Sequence, residues 1–265
     1  MMRTHVTRYG VAYRQPYRHE IFSQSAVGLG CVEITAEQFL PLTPSRRDEL
    51  ERLSDANHML VHGLNLNVGS VNTPCPRYMN DVSELLDITG APFFSDHLAI
   101  TKVGEVALGH FAPVWFTEGN LSVAIRNIDI AQRAMGVRLV LETITSHFDL
   151  PAADMELHEF MNRVCTETGC GVLLDISNIY INSRNQARNP MHVVENLNSG
   201  NVVQFHLAGF TEVGGVFFDS HNQAIDDRVW SLYEGAIRVH SPTYIVIERD
   251  GNHESLNALL RELEV

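Results

Sequence analysis

Basic residues are few in this chain, and lysine is almost absent. Lys102 is the only lysine among 19 Lys and Arg, set against 32 Asp and Glu, for a net charge of −13. Binding to a phosphate backbone needs a basic surface, so nucleic acid is excluded as the main partner. Cysteine is also scarce. Cys31, Cys75, Cys165 and Cys170 show neither CxxC spacing nor a dense framework, which argues against a disulfide scaffold and a thiolate zinc site. Cys31 and Cys170 adjoin strand patterns and read as buried apolar fillers. Cys75, between Pro74 and Pro76, falls in a loop. No apolar run approaches the ~20 residues that span a bilayer, and the first ten residues lack the apolar core of a signal peptide. A cytoplasmic location is the expectation. Nucleophile-elbow, phosphate-loop and dinucleotide fingerprints are missing too.

What is present is a repeated alternation. Eight β-type runs stand out: Tyr9 to Tyr13, Cys31 to Thr35, and six that end at His62, His97, Glu142, Asp175, His206 and Glu248. Helical patterns lie between them, around Leu50–Leu53 and over Asp81–Ile88, Leu121–Met135, Met155–Thr168, Val193–Leu197, Asp226–Val239 and His253–Leu263. Strands alternating with helices predict an α/β protein, a (β/α)8 barrel, and 265 residues suit one such domain over 1–265. One stretch departs from the alternation. Leu98 to Pro113 reads as a hairpin turning at Lys102–Glu105, inserted after the fourth strand as a lid or docking surface. The loop from Gly63 to Pro76 is also long for its kind.

Six consecutive runs thus end on a residue able to ligate a metal. Asp, Glu and His together fill about one position in six, so with a two-residue window six hits in six have a chance of roughly one in a thousand. Ending an apolar strand on a carboxylate or imidazole is costly unless the group is paired or coordinated. At the C-terminal face of a barrel the strand ends converge. The expected metal ligands are therefore His62, His97, Glu142, Asp175, His206 and Glu248, joined by Asp219 and His221 from the loop after the seventh strand. Taken singly, each has a plain alternative: His97 as a partner of Asp96, Glu248 as a partner of Arg249. A mixed nitrogen–oxygen set without thiolate suits iron, manganese or non-structural zinc, and eight donors suit two or three ions bridged by carboxylates. Arg14, Glu33, Asn65, Asn67, His147 and Asn178 are candidates for substrate contacts on the same face, with Asn182 beside them.

The motifs GVAYR, VEITAE, VHGLNLNVGS, FSDHL, GCGVLLDISNIYIN, FHLAGF, DSH and ERD, running from Gly10 to about Asp250, resemble the multinuclear non-heme iron-dependent oxidases. That family includes the methanobactin-biosynthesis oxidase. The resemblance implies a (β/α)8 barrel holding two or three non-heme irons (Fe2+/Fe3+) on the eight ligands named above. It further implies O2 as co-substrate, a cysteine-containing ribosomal peptide as substrate, and abstraction of a cysteine Cβ hydrogen. Excision of the β-carbon, the reaction of the 3-thiaglutamate subfamily, is the first expectation. Many relatives place Asn after the fifth-strand glutamate, where this chain has Thr143. No stretch resembles a leader-binding winged helix, so a separate partner protein that recognises the leader is expected. The rival reading is a two- or three-metal hydrolase or isomerase of the endonuclease IV or xylose isomerase type. A sugar isomerase would want a lysine at the site, and Lys102 on the hairpin is the only one available.

Overall fold

The structure is a computed structural model that describes residues 6–23, 29–148, 150, 151 and 153–264, and the backbone alone of residue 264. The segment read for a signal peptide therefore begins outside the described residues. In chain order the elements are β1 (Arg8–Ala12), α1 (Arg18–Phe22), β2 (Cys31–Thr35), α2 (Ala36–Phe39), α3 (Pro44–Ala56), β3 (Met59–Gly63), α4 (Pro76–Thr89), β4 (Phe94–His97), β5 (Ala99–Val103) and β6 (Val106–Pro113). There follow α5 (Glu118–Met135), β7 (Leu139–Glu142), α6 (Leu157–Thr168), β8 (Gly171–Asp175), α7 (Ile176–Asn185), α8 (Pro190–Asn196), β9 (Val202–Ala208), β10 (Phe210–Val213), β11 (Val216–Asp219), α9 (Asp227–Val239), β12 (Tyr244–Glu248) and α10 (Leu256–Arg261).

Eight of the strands close into a barrel in the order β1-β12-β9-β8-β7-β4-β3-β2, every neighbouring pair parallel. Two antiparallel hairpins, β5–β6 and β10–β11, stand outside it. The first is the expected insertion, turning at Gly104-Glu105 between its strands. The second was not expected, and it changes the placement of Asp219, which ends β11 and is not a plain loop residue. Helix α7 was also unforeseen: it starts directly after Asp175, whose carboxylate caps it by accepting from the Asn178 amide. The expected helix over His253–Leu263 is shorter, because Ser255 caps α10 and sets its start at Leu256.

The barrel has a dry floor and a polar upper layer, and the period of two along each strand links them. Ala12, Cys31, Leu60, Phe93, Val140, Leu173, Tyr244 and Val246 pack together as a buried cluster inside the barrel. Two residues further along the strands come Glu33 after Cys31, His62 after Leu60, Glu142 after Val140, Asp175 after Leu173 and Glu248 after Val246. The strand-end donors face inward because the apolar residue one full period earlier does. The larger core lies outside the barrel, where Val61, Phe94, Leu141, Leu174, Phe205 and Ile247 meet the helices. Among the described residues no helix is long and apolar enough to cross a membrane.

Candidate metal centre

The eight strand-end and hairpin donors come together in and beneath one cavity of about 860 Å3 at the C-terminal end of the barrel. Register brings some of them side by side: His97 pairs with Glu142 across β4 and β7, and Asp175 with His206 across β8 and β9. Glu142 occupies the middle. Its Oε2 lies 3.2 Å from His62 Nε2 and 3.1 Å from His97 Nε2, while its Oε1 lies 3.4 Å from His206 Nδ1. Glu248 Oε2 stands 3.3 Å from His206 Nδ1 and 3.5 Å from His221 Nδ1, and Asp219 Oδ1 is 2.5 Å from His221 Nε2. Two donor groups result, His62–His97–Glu142 and Glu142–Asp175–His206–Glu248, in each of which one ligand atom per residue lies within 4.8 Å of the others. Glu142 belongs to both, through opposite oxygens for the histidines it faces.

Local bonds aim the rings. His62 Nδ1 is 2.9 Å from Ser95 Oγ, and His97 Nδ1 is 3.3 Å from the Gly63 carbonyl, which leaves both Nε2 atoms directed at Glu142. His206 is turned the other way round: its Nε2 lies 2.8 Å from Glu33 Oε1, so Nδ1 is the atom it presents. Such outer contacts are how metal-ligating histidines are usually oriented. His221 takes a left-handed backbone (φ 50°) that non-glycine residues seldom adopt. It is held there by its amide donating to Gly209 O (3.0 Å) and its carbonyl accepting from the Asp250 amide (2.7 Å). A Cβ on Gly209 would fall 2.1 Å from Gln223 O, so this close approach requires glycine.

The charges show what the group is suited to bind. Burial opposes a charge on His62, but the contact and charge of Glu142 outweigh it and lift its pKa to about 9. Burial wins at His97, which falls to about 4. Burial, then the charges of Glu142 and Asp219, push Asp175 well above the carboxylate range. Burial also opposes ionisation of Glu248, but the charges of His206 and His221 hold it well below that range. Glu142 Oε2, Asp175 Oδ2 and His206 Nδ1 are buried without an aligned hydrogen-bond partner among the described residues. Buried donors that converge without aligned hydrogen bonds fit bound cations, one facing each donor group.

The other expected residues divide. Arg14 lines the cavity and forms ion pairs with Glu248 (3.3 Å) and Asp250. Glu33 is buried beneath it, against His206 and Gln204. Asn178 and His147 line the cavity, His147 with its ring against Phe218. Asn65 instead bonds Glu37, and Asn67 bonds the backbone of Thr101 and Lys102, fastening the long loop to the hairpin. Asn182 bonds the backbone at Ser146 and Ile144. Of the two plain alternatives, Arg249 pairs with Glu262 and not Glu248. Asp96 does accept the His97 backbone amide at 2.7 Å and stands 4.0 Å from its ring Nδ1, which leaves Nε2 free to face Glu142. Lys102 pairs with Glu105 at 3.1 Å. Sequence reasoning missed Ser95, Gln204 and Asp250, although period two from Phe93 places Ser95 in the barrel. It also missed Phe111, which no local signal marks.

A closed parallel barrel with converging imidazoles and carboxylates at its C-terminal rim defines the class as a (β/α)8 protein with a candidate metal site at that rim. The family follows from comparison. Residues 8–265 match the model of the RiPP precursor modification enzymes MbnB/TglH/ChrH, and the chain belongs to that enzyme family. It is similar to a UPF0276 protein of Rhizorhabdus wittichii (32% identity, covering 97% of this chain and 92% of the relative). A UPF0276 protein of Caulobacter vibrioides is 30% identical, with 97% and 92% covered. Solved structures of similar fold include a xylose isomerase domain protein from Planctomyces limnophilus (TM-score 0.63, 13% identity, 97% and 95% covered). Another is 3-keto-D-glucoside 4-epimerase from E. coli (TM-score 0.60, 11% identity, 98% of each chain). At such low identity these last two speak for the fold alone.

Proposed function

We propose that the chain is an iron- and O2-dependent oxidase that modifies a cysteine of a ribosomally made peptide by breaking a Cβ–H bond. The observation that carries this reading is the position of Glu142 between two donor groups, together with a donor set of imidazole and carboxylate. The proposed ligands are His62, His97, Glu142, Asp175, His206, Asp219, His221 and Glu248, with Glu142 common to both donor groups. Two or three bound irons would supply the redox chemistry and a soft-ligand position for the substrate thiolate.

The chain's own residues supply the setting. The four carboxylates offset the cationic charge of the metals, and Ser95, Gly63 and Glu33 hold the imidazoles in the orientation that presents Nε2 or Nδ1. Arg14, clamped by Glu248 and Asp250 at the cavity wall, offers a guanidinium to a peptide carboxylate or carbonyl. Phe111 covers His97 and keeps bulk water from that side of the centre. Membership in a family that modifies RiPP precursors supports the peptide substrate. Thr35, Gln38, Ser146 and Phe148 line the cavity beside the donors and offer the surface on which such a peptide would lie.

The test combines metal identity with the fate of Cβ. Protein purified without oxygen is subjected to metal analysis and Mössbauer spectroscopy, then given partner protein, O2 and a peptide whose cysteine is deuterated at Cβ. Iron at two or three equivalents, oxygen uptake and loss of deuterium, or of Cβ itself, are the expected results. A product that keeps both deuterons, or turnover without oxygen, defeats the reading and revives the hydrolase or isomerase.

A further inference from the structure

A second group of donors lies outside the barrel centre. Glu156 immediately precedes α6, His158 sits in its first turn, and His192 sits in the first turn of α8. Glu156 Oε2 is 2.9 Å from His192 Nε2 and 3.5 Å from His158 Nδ1. The two imidazoles stand edge to face, 5.2 Å between centroids at 89°. One donor atom from each of the three residues lies within 4.8 Å of the other two. In a tetrahedral zinc site with bonds of ~2.0 Å, adjacent donor atoms are about 3.3 Å apart, and the two short spacings bracket that value.

A separate observation points the same way. His158 Nδ1 is buried, in a side chain only 13% exposed, and has no hydrogen-bond partner among the described residues. A buried polar nitrogen without a partner is costly, so a protein gains by giving it a ligand. Glu156 does not meet the need: at 3.5 Å it approaches the nitrogen without an aligned bond.

We propose that Glu156, His158 and His192 form a binding site for one divalent transition-metal ion of the zinc class, distinct from the barrel centre. Two imidazoles and one carboxylate are a common zinc set, with the fourth position left to water. The ligands Glu156 and His192 are each about half exposed, so an ion has a path from solvent. Asn196 now gives its Nδ2 to the His192 carbonyl at 2.8 Å, with Nδ1 of the same residue 3.4 Å away. With the metal on Nε2, His192 carries its proton on Nδ1, and Asn196 rotates to accept it.

The position suggests what the ion does. Glu156 and His192 both line a cavity of about 760 Å3 whose wall includes Phe116, Ile144, Met155 and Leu157. This cavity shares Pro113, Ile144, Ser146 and Phe148 with the one over the barrel centre. An ion here ties the start of α6 to the start of α8 and braces the rim of the space adjoining the candidate active site.

The test separates this site from the barrel centre. Wild type, His158→Ala and His192→Ala are titrated with Zn2+ against a chromophoric chelator, and zinc-edge anomalous diffraction is collected from zinc-soaked wild-type crystals. Wild type is expected to take up one equivalent more than either variant, with an anomalous peak among the three side chains and unchanged circular dichroism. Glu142→Ala, which alters the barrel centre, should keep that extra equivalent. Equal uptake in wild type and both variants, or an anomalous signal confined to the barrel, overturns the proposal. So does uptake only at millimolar zinc, which marks an adventitious ion.

Discussion

The ring of Phe111 lies flat on the imidazole of His97, 3.8 Å between centroids with planes 20° apart. Phe111 belongs to β6 of the inserted hairpin, so that hairpin is a wall of the candidate metal centre as well as a surface feature. Stacked aromatic pairs contribute about 0.5–1.5 kcal/mol beyond area burial, enough to hold both the ring and the hairpin in place. Phe111→Ala should leave the barrel and its metal content intact. It should lower kcat/KM by about tenfold, since each 1.36 kcal/mol in the barrier is a factor of ten. The oxygen consumed per peptide modified should rise, which an oxygen electrode combined with mass spectrometry would record. Unchanged coupling and rate would remove the hairpin from the site.

Glu142 faces histidines of both donor groups, and the variants should show it. Glu142→Ala is expected to cost more bound metal than His97→Ala, which disturbs one group only. His62→Ala and Asp175→Ala should each lower metal content, and all four should abolish turnover. Circular dichroism must accompany the metal analysis, because bound metal stabilises the folded state. Full metal content in His62→Ala, Glu142→Ala and Asp175→Ala together would sink the ligand assignment.

Metal removal should destabilise the whole barrel. Without a cation, buried carboxylates face one another, and burial together with the charges of Glu142 and Asp219 raises the pKa of Asp175. Chelation is expected to lower Tm by several degrees, given that about 1 kcal/mol moves Tm by roughly 2–4 °C in a chain of this size. Adding ferrous iron without oxygen should restore it. A melting curve indifferent to chelator would argue that the donors pair without metal.

The long loop and the hairpin form one surface. Asn67 bonds Thr101 and Lys102, and the Gly69 amide donates to the Ala99 carbonyl at 3.1 Å. Val71, Val103 and Val106 are exposed there. We expect a leader-recognising partner to dock on this patch. Val103→Glu with Val106→Glu should weaken pull-down by the partner and slow turnover on full-length precursor without changing metal content. Full activity of the barrel alone on free peptide would refute the need for a partner.

Acid should destabilise the protein from a place remote from the metals. His240 is fully buried at the end of α9 with Nε2 2.9 Å from the Val194 carbonyl, and burial lowers its pKa. A depressed folded pKa means stability that is complete above the unfolded value, about 6.5, and lost as pH falls through the folded one. Urea midpoints measured from pH 7.5 to 5 should fall on acidification, and His240→Gln should flatten part of that slope. An equally steep fall in the variant would assign the loss to other groups.

The sequence by itself determined the eight barrel strands and the inward direction of their final donors. Both depend on period two, which is a local property: once Val140 faces the barrel interior, Glu142 must as well. It also marked the first hairpin, because alternation resumes on each side of Gly104. Tertiary structure decided the rest. Which oxygen of Glu142 meets which imidazole depends on strand register and on bonds from Ser95, Gly63 and Glu33, none of them neighbours in the chain. The second hairpin, the left-handed turn at His221 and the cover of Phe111 depend on closure of the barrel, which brings Gly209, Asp250 and β6 to the same rim. The cluster of Glu156, His158 and His192 exists only because α6 and α8 pack side by side, a separation of 34 residues that no local pattern spans.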